Sequence, residues 1–435
     1  VVRWSTIRLT FILAIKYQWA TRQLDFVLAY PQAPVECDLY MEVPRGHRLY
    51  DKRKQFAIKL KQNLYGQKQA GRVWNKYLTN TLTKNSFLQS QVDECLFYFK
   101  QCIILIYVDD GGIFGTEEEI KFVLTELAKA FKVKDLGKLE NFIGCRLIEN
   151  QSKDTIWIHQ PKLLKHLKQA FGDMVKDVRE YTTPAAPKTS IMCPQEGDPL
   201  ISAERQKTFR SGVGMLLYLV KHSRPDISNA VRELSKVADG ATEAHWKQLM
   251  RAIKYVITTE NKALKLKPKL KSDNSMFYLE GLSDSNFAED KETRISVYGY
   301  VVYFCGAPIA TKSKLGRSVT QSSTEAEYFA ISEVAKEILF IKQLMDTIGI
   351  PIQLPIIVRV DNIGAIFLAN NFSVGQRTKH IDIRTHFIRE FIEDDILKII
   401  FIRTEDNDAD IFTKNTTEEL YDKHSNKLVE QLPET

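Results

Sequence analysis

The sequence has few cysteines and no long hydrophobic run. Its six cysteines are scattered among 435 residues without a Cys-x-x-Cys pair, so we expect neither a zinc site nor a disulfide framework, and a reducing intracellular setting fits better. The apolar runs fall far short of the roughly 18 residues that cross a bilayer, and Arg8 and Lys16 interrupt the N-terminal one. No signal peptide is recognisable. These absences argue against a secreted or membrane protein.

The charge is only mildly unbalanced. Lys and Arg number 61 against 54 Asp and Glu, a formal net charge of +7, which by itself is a weak argument for nucleic-acid binding. The chain is too long for one hydrophobic core, and we expect about two or three domains. The sequence opens at Val1, within an apolar pattern and without Met, which is typical of a fragment or a processed product.

Two adjacent carboxylates follow a short apolar run. Residues 103–106 are all Ile or Leu, and residues 107–112 then read YVDDGG. This pattern predicts a buried strand, two acids and a glycine turn at which the chain doubles back, although it is equally typical of an ordinary surface turn. Asp109 and Asp110 repel each other at such a tip, so a fold that keeps them there usually needs a cation between them.

A third acid strengthens this interpretation. Asp25 also lies within an apolar stretch, where a carboxylate is costly unless it has a partner. Three carboxylates that converge from two strands can hold a pair of Mg²⁺ ions, the arrangement for in-line displacement at phosphorus. We therefore take Asp25, Asp109 and Asp110 as candidate metal ligands.

Segments along the whole chain resemble one family. Residues 107–110 resemble the catalytic box of reverse transcriptases, and the surrounding sequence resembles copia-type retrotransposon polymerases in particular. The matching segments are 23–30 (QLDFVLAY), 39–46 (LYMEVPRG), 63–74 (NLYGQKQAGRVW), 93–97 (DECLF), 134–144 (KDLGKLENFIG), 224–227 (RPDI), 242–246 (TEAHW), 322–328 (SSTEAEY), 377–390 (RTKHIDIRTHFIRE) and 409–414 (ADIFTK). Their order makes the resemblance specific, whereas no single motif would.

The resemblance implies a multidomain protein of the α/β and α+β classes. It would consist of a right-hand polymerase with partial fingers, a palm and a thumb or connection, followed by an α/β ribonuclease H-like domain. Residues 1–160 would form the partial fingers and palm, 161–272 the thumb and connection, and 273–416 the ribonuclease H-like domain. Residues 417–435 are polar and charged, which predicts a loose tail. The polar, Pro-containing stretch 181–199 is the best linker candidate.

At the polymerase site the resemblance assigns Asp25 and Asp109 to two metal ions, with Asp110 as a weaker helper. Tyr107 of the same box is a candidate for substrate contact. One metal would lower the pKa of a primer 3′-hydroxyl, and the other would hold the triphosphate leaving group.

Further residues match positions that contact substrate in the family. Tyr30 matches the aromatic residue that packs under the nucleotide sugar and disfavours a 2′-hydroxyl, although a Tyr in an apolar stretch is often core packing. Gln69 and Arg72 match fingers residues that position template and nucleotide, with a solvated basic loop as the alternative for Arg72. Phe142 and Gly144 match the primer-grip turn, where glycine lets the backbone approach the primer phosphates.

A second carboxylate set lies in the part that resembles ribonuclease H. Asp284 ends a short predicted strand, and Asp361 follows another, where a helix N-cap is the alternative role. Of two neighbouring glutamates, Glu327 shares a helix face with apolar residues, whereas Glu325 shares a mostly polar face. An acid on the buried face is the costlier one, so Glu327 is the predicted ligand.

Asp410 matches the fourth acid of the ribonuclease H site, with Asp408 as a local rival. All four matched ligands are acidic in this sequence, and the resemblance implies two Mg²⁺ or Mn²⁺ ions in each active site. His380 and His386 lie in the segment 377–390. For them packing or substrate contact fits better than metal binding, because few acids adjoin them in sequence.

The resemblance implies an RNA-directed DNA polymerase with an associated ribonuclease H that degrades the RNA of RNA–DNA hybrids. The implied partners are an RNA template, an RNA primer such as a tRNA, the hybrid, deoxynucleoside triphosphates, and other Pol and Gag products, with no membrane. The implied location is intracellular, in a cytoplasmic virus-like particle with access to the nucleus. The alternative is a catalytically inactive relic, or a nucleic-acid-binding protein with the same fold.

Overall fold

The computed structural model describes residues 2–269, 276–370 and 387–433. Helices and strands are interspersed along this part of the chain, so the mixed α/β character expected from the sequence is confirmed. No helix within these ranges is both long enough and apolar enough to cross a bilayer.

Contacts between residues divide the chain into two compact units. The first consists of Val1–Arg3 and Tyr17–Ile143, and the second consists of Trp4–Lys16 and Gly144–Thr435. Helix α1 (Trp4–Tyr17) therefore belongs almost entirely to the second unit, although it precedes the first in sequence. Its buried Arg8 donates hydrogen bonds of 3.1 Å to the backbone carbonyls of Ile309 and His222, which secures α1 to that unit.

The first unit is built on an antiparallel sheet. The strands of this unit, not all of which belong to that sheet, are β1 (Ala20–Phe26), β2 (Tyr40–Glu42), β3 (Ala57–Lys59), β4 (Leu88–Gln89), β5 (Leu96–Phe99), β6 (Cys102–Tyr107), β7 (Asp110–Gly115), β8 (Val133–Asp135) and β9 (Asn141–Phe142). Strands β2 and β3 pair with each other. The main sheet has six strands in the order β4-β5-β6-β7-β1-β8, and this order places β1 directly beside β7.

Three helices cover the sheet, and alternation along β1 positions one candidate acid. The helices are α2 (Ala29–Gln32), α3 (Ala70–Lys84) and α4 (Glu117–Ala130). Helix α4 begins at a capping box in which the side chains of Thr116 and Glu119 each accept from the other residue's backbone amide. In β1, Leu24 and Phe26 are fully buried. Because side chains alternate along a strand, Asp25 between them faces the other side of the sheet.

The second unit continues with a largely helical region. Its elements are β10 (Cys145–Glu149), β11 (Ile156–His159), α5 (Pro161–Phe171), α6 (Ala203–His222), α7 (Ser228–Ser235), α8 (Glu243–Thr258) and β12 (Lys262–Leu266). Helix α5 buries Leu164, Leu167 and Phe171, whose spacing of three and four places them on one face. They join a core shared with α6 and α8. Residues 181–199 form neither helix nor strand.

A mixed sheet and the elements packed on it position the remaining candidate acids. Its strands are β13 (Leu279–Asn286), β14 (Val297–Phe304), β15 (Ala307–Leu315), β16 (Ile356–Val360) and β17 (Leu397–Phe401), in the order β15-β14-β13-β16-β17. Its helices are α9 (Ser323–Thr347), α10 (Ile363–Asn370) and α11 (Ile388–Glu393). Helix α9 packs so closely on β13 that a Cβ at Gly281 would lie 2.7 Å from Cδ1 of Ile338. Strands β13 and β16 are parallel, so their carboxyl ends share one edge.

The segment after residue 416 is ordered into helix and strand, so the prediction of a loose tail is wrong. It forms α12 (Glu418–Ser425) and β18 (Val429–Gln431), and β18 pairs antiparallel with β12. Tyr421, Leu428 and Val429 are buried in the core of the second unit. Although most residues of this segment are polar, burial of these three side chains is sufficient to stabilise its helix and strand against the second unit.

Candidate active sites

The paired acids of the first unit lie on a two-residue hairpin. Strands β6 and β7 are antiparallel, and their last pair is Tyr107 with Asp110, so Val108 and Asp109 form the turn. Val108 adopts a left-handed backbone with φ of 57°, which matches the backbone twist that tight hairpins need. The prediction that Gly111-Gly112 form the turn is wrong, because both lie within β7.

The two glycines are instead positions of close packing. A Cβ at Gly111 would lie 3.3 Å from Cβ of Leu24, and a Cβ at Gly112 would lie 3.1 Å from Cε2 of Phe114. Larger residues would force these neighbours aside. The absence of side chains therefore lets β7 pack closely against its surroundings immediately after the hairpin acids.

Asp25 meets the hairpin through strand pairing. The antiparallel register of β1 with β7 places Asp25 opposite Asp110. The amide of Phe26 donates to the carbonyl of Asp109 at 2.8 Å, which fixes the turn against β1. Burial raises the pKa of Asp110, and the negative charges of Asp25 and Asp109 raise it further. The fold thus brings the three candidate acids of the first unit together and places like charges beside one another.

Tyr65 contacts this group, and sequence reasoning missed it. Its hydroxyl donates a hydrogen bond of 2.7 Å to Oδ1 of Asp109, and burial together with this bond raises the pKa of Tyr65 to about 12. Its ring lies against that of Tyr30, with 4.7 Å between centroids. Tyr30 in turn approaches Gly71, where a Cβ would lie 3.3 Å from the Tyr30 hydroxyl. Tyr65 lies within a family-matching segment, but no local pattern singled it out.

The remaining polymerase-site candidates differ in exposure. Gln69 is half-buried at the N-cap position of α3, and Arg72 is exposed in the first turn of that helix. Tyr107 is half-buried at the end of β6. Phe142 is a core residue with 2% exposure, whereas Gly144 is exposed with a left-handed φ of 76°. Arg72 and Gly144 are therefore open to a ligand, and the Phe142 ring is committed to packing.

Three acids of the second unit form a tight cluster. One ligand oxygen from each of Asp284, Asp361 and Asp410 lies within 4.8 Å of the others. Asp284 lies near the carboxyl end of β13, Asp361 directly follows β16, and Asp410 lies in a 3₁₀ turn at Asp408–Phe412. Within the described ranges no other set of three acid, His or Cys side chains is so compact, and the hairpin acids are not drawn together as closely.

A lysine and a threonine hold this cluster together. Nζ of Lys414 lies 3.2 Å from Oδ1 of Asp284 and 3.1 Å from Oδ1 of Asp410. The hydroxyl of Thr413 donates a hydrogen bond to Oδ2 of Asp284. Burial raises the pKa of Asp284 to about 7, opposed by the charge of Lys414 and assisted by that of Asp410. Burial alone would lower the pKa of Lys414, but the two aspartates raise it. The single positive charge of Lys414 therefore does not offset all the negative charge of the three aspartates.

The structure separates the roles of the two glutamates on α9, although both are buried. Glu325 is 7% exposed and Glu327 is 6% exposed, so the periodicity argument that placed Glu325 on a polar face is wrong. Glu325 accepts from the amide of Gln321 at 2.6 Å, which is a contact at the start of the helix. Burial and the charges of Asp284 and Asp361 raise the pKa of Glu327 well above its usual value, so Glu327 faces the cluster.

One oxygen of Glu327 remains available. Its Oε1 accepts from the amide of Ser285 at 3.0 Å and from its hydroxyl at 2.8 Å, whereas its buried Oε2 has no hydrogen-bond partner among the described residues. An unpaired buried carboxylate oxygen is costly. This oxygen is therefore suited to an incoming cation or hydroxyl.

Contacts bear on two alternatives that the sequence left open. The N-cap of α10 is Asn362, whose Oδ1 accepts from the amide of Ala365 at 2.9 Å, while Asp361 accepts from the hydroxyl of Thr404. Asp361 is therefore not the cap. Asp408 is committed elsewhere, since it contacts three side chains at 2.6–3.0 Å, those of Tyr303, His424 and Lys427.

Comparison with known proteins identifies the chain. Residues 1–186 match the family model described as reverse transcriptase (RNA-dependent DNA polymerase). Over 98% of its length the chain is 32% identical to the retrovirus-related Pol polyprotein from transposon TNT 1-94 of Nicotiana tabacum. Over the same share it is 33% and 30% identical to those from transposons RE1 and RE2 of Arabidopsis thaliana. The chain belongs to the copia-type retrotransposon Pol family.

The copia-type chain spans about a third of the length of the curated relatives that it matches, namely 32%, 28% and 29% of these three. Both carboxylate groups fall inside the similar region, but the reverse transcriptase match itself ends before the second group begins. Two histidines of the copia-like segment 377–390, His380 and His386, lie outside the described residues.

Proposed function

We propose that this chain copies RNA into DNA and cleaves the RNA strand of the resulting hybrid. Residues 1–160 would supply partial fingers and the palm, 161–272 the thumb and connection, and 273–416 a ribonuclease H-like domain. The observation that carries the proposal is that each unit concentrates carboxylates at the end of paired strands: Asp25 opposite Asp110 in one, and the cluster around Asp284 in the other.

For polymerisation the hairpin supplies the acidic group. Asp25 and Asp109 would hold divalent ions, Mg²⁺ or Mn²⁺, with Asp110 as helper. The fit is supported by the raised pKa of Asp110, which reflects burial and the negative charges of Asp25 and Asp109. The hydrogen bond from Tyr65 takes one lone pair of Oδ1 of Asp109, so Tyr65 would compete with an ion for the negative charge of this oxygen. Tyr30, which lies against Tyr65, would pack under the nucleotide sugar.

For RNA cleavage the cluster of Asp284, Asp361 and Asp410 supplies three ligands, and Glu327 a fourth. Their fit to divalent cations is supported by the 4.8 Å grouping, by the unpartnered Oε2 of Glu327 and by the raised pKa of Asp284. Two-metal catalysis activates an attacking oxygen and stabilises the charge that develops on phosphorus. In the absence of cations, Lys414 offsets part of the negative charge.

The relatives carry the description "Pol polyprotein", which supports a set of partners for this chain. We infer that it acts on an RNA template with an RNA primer such as a tRNA, on deoxynucleoside triphosphates and on the hybrid. It would do so with other Pol and Gag products in a cytoplasmic particle that has access to the nucleus. Exposed basic residues such as Arg72 would contribute salt-sensitive phosphate contacts.

The test uses a labelled DNA primer on a differently labelled RNA template, with Mg²⁺ and deoxynucleotides, and follows both strands. We expect the primer to lengthen and the RNA to shorten. Asp109→Asn should abolish only lengthening, and Asp410→Asn should abolish only RNA cleavage. Asp135→Asn and Asp239→Asn serve as controls, because both are exposed acids outside the two groups.

Each outcome assigns a function. Lengthening that survives Asp109→Asn would refute the hairpin as the polymerase site. Shortening that survives Asp410→Asn would refute the cluster as the nuclease site. If neither strand changes while the duplex still binds, the chain is a nucleic-acid-binding relic rather than an enzyme.

A further inference from the structure

A cavity of about 380 Å³ lies beside the carboxylate cluster of the second unit. Helix α7 lines one side of it with Asn229 and Arg232, and the chain that follows Asp410 lines the other with Asn415 and Thr416. We call this cavity the α7 pocket. Because α7 lies outside the residues assigned to the ribonuclease H-like domain, the pocket joins that domain to the region that precedes it.

Among the described residues, three polar side chains of the α7 pocket have a buried atom without a hydrogen-bond partner, namely Nη1 of Arg232, Oγ1 of Thr416 and Oε1 of Glu233. Oε1 of Glu233 is nevertheless ion-paired with Arg232 and Lys236. Arg232 is 9% exposed. Its other nitrogens are engaged: Nε donates to Oγ of Ser313 at 3.1 Å, and Nη2 donates to Oδ1 of Asn229 at 2.6 Å. A buried guanidinium nitrogen without an acceptor is costly, which indicates that an acceptor comes from outside the chain.

A chain of hydrogen bonds fixes the shape of the α7 pocket. Arg232 donates to Asn229, and Nδ2 of Asn229 donates to Oδ1 of Asn415 at 2.9 Å. Asn415 in turn donates from Nδ2 to the carbonyl of Thr189 at 2.7 Å and accepts from the amide of Lys188 at 2.8 Å. The side chain of Arg232 is thus held in place before any ligand arrives, which limits the entropy lost on binding.

The acids that line the α7 pocket are all engaged within the protein. Glu233 lies 2.6 Å from Nη2 of Arg232 and 3.0 Å from Nζ of Lys236. Glu289 accepts from the amide group of Asn286 at 2.8 Å, and Asp410 accepts from Lys414. The unused groups are therefore a guanidinium nitrogen and a hydroxyl. This pair suits an anionic oxygen such as that of a phosphodiester.

We propose that the α7 pocket binds one backbone phosphodiester of the nucleic acid whose RNA is cut at the cluster. This inference rests on the proposed ribonuclease H function. Arg232 and Thr416 would donate to the same phosphate, and Asn229 and Asn415 would hold them in position. By fixing one phosphate beside Asp410 and Lys414, the pocket would determine which linkage of the RNA reaches the carboxylates, because phosphate contacts set register on a duplex.

The first measurement is equilibrium binding of a fluorescein-labelled RNA–DNA hybrid to the full chain in EDTA, where no cleavage occurs. We expect Arg232→Met to weaken binding about tenfold and to reduce the dependence of log K on log salt by about one. Thr416→Val should weaken binding about threefold without changing that dependence, because the hydroxyl is uncharged. Thr258→Val, a hydroxyl that bonds only its own helix, is the matched control.

Thr416→Val guards against misfolding, because the Thr416 hydroxyl has no protein partner to lose. The decisive readout is a scan of hybrids that carry a single neutral methylphosphonate linkage at successive positions of either strand. One linkage should weaken binding to the wild-type chain and should have little effect on Arg232→Met or Thr416→Val. The strand and position of that linkage would locate the phosphate.

The proposal is overturned if Arg232→Met and Thr416→Val both bind the hybrid like the wild type. It is also overturned if every methylphosphonate linkage that weakens binding to the wild type weakens binding to the two variants equally. Failure of the proposed nuclease is a separate result. If the wild-type chain does not shorten RNA in Mg²⁺ but one linkage still depends on Arg232 and Thr416, the pocket is a phosphate site of a binding protein.

Discussion

The free energy of unfolding of Asp284→Asn relative to wild type should increase as the pH rises. Asp284 is 1% exposed, and burial raises its pKa from 3.8 to about 7 despite the nearby charge of Lys414. The native state therefore holds this proton more tightly than the unfolded state. The stability that Asp284 contributes is greatest at low pH and is lost as the pH rises through about 7. Asparagine has a similar shape and no charge, so the variant escapes this loss.

The size of the effect follows from the raised pKa. Each pKa unit corresponds to about 1.36 kcal/mol. At a pH of about 5 the unfolded carboxyl is ionised and the folded one is not, and roughly two pH units remain before the folded group ionises. The free energy of unfolding of Asp284→Asn relative to wild type should thus increase by about 2–3 kcal/mol between about pH 5 and pH 8. Comparison across pH cancels the constant cost of the lost contacts with Thr413 and Lys414.

The assay is urea denaturation in EDTA at several pH values, followed by the fluorescence of Trp157 and Trp246 in the second unit. Asp239→Asn provides the control, because its side chain is 99% exposed, and its curves should parallel those of the wild type. A difference between Asp284→Asn and wild type that stays constant, or that shrinks as the pH rises, would refute the argument that the cluster opposes folding.

Three further predictions concern other contacts. Arg224→Met should lower the free energy of unfolding by about 3–5 kcal/mol, because Asp226 loses two buried bonds of 2.8 and 2.9 Å; a loss below about 1 kcal/mol in urea denaturation would contradict this. Tyr65→Phe should lower the Mg²⁺ concentration for half-maximal primer extension about threefold, because it frees Oδ1 of Asp109, and an unchanged requirement would argue against competition. Asp408→Asn should cost about 2–3 kcal/mol at neutral pH without abolishing RNA cleavage. Burial opposes ionisation of Asp408, but its hydrogen-bond partners lower its pKa. The stability lost in Asp408→Asn should therefore shrink as the pH falls through that pKa. Urea denaturation at two pH values tests this prediction, and a loss of stability that grows in acid would contradict it.

Local sequence pattern was sufficient for several parts of the site. The apolar run before Asp109 and Asp110 predicted the strand, and the strand ends where the acids begin. Asp25 in an apolar stretch predicted a charged partner, and pairing places it opposite Asp110. Both inferences rely on the cost of a carboxylate among apolar residues, which is visible in the sequence itself.

Local pattern failed where packing decided the outcome. The glycines after the hairpin were interpreted as a turn, but they lie in β7, where a Cβ would approach neighbouring side chains to 3.1–3.3 Å. Glu325 was placed on a polar face, but the fold buries both sides of that helix start. The residues after 416 are mostly polar, so their pattern did not predict the strand that pairs with β12 and buries Val429.

The sequence by itself determined which residues carry charge in apolar surroundings, and hence which acids were worth considering. Only the tertiary structure decided which of them meet. Tyr65 and Asp109 are 44 positions apart, Thr413 and Asp284 are 129 apart, and Asn229 and Asn415 are 186 apart. Such contacts depend on strand order, on parallel pairing and on which helix covers which face. Those choices are set by the packing of the whole core and not by the residues adjacent in the chain.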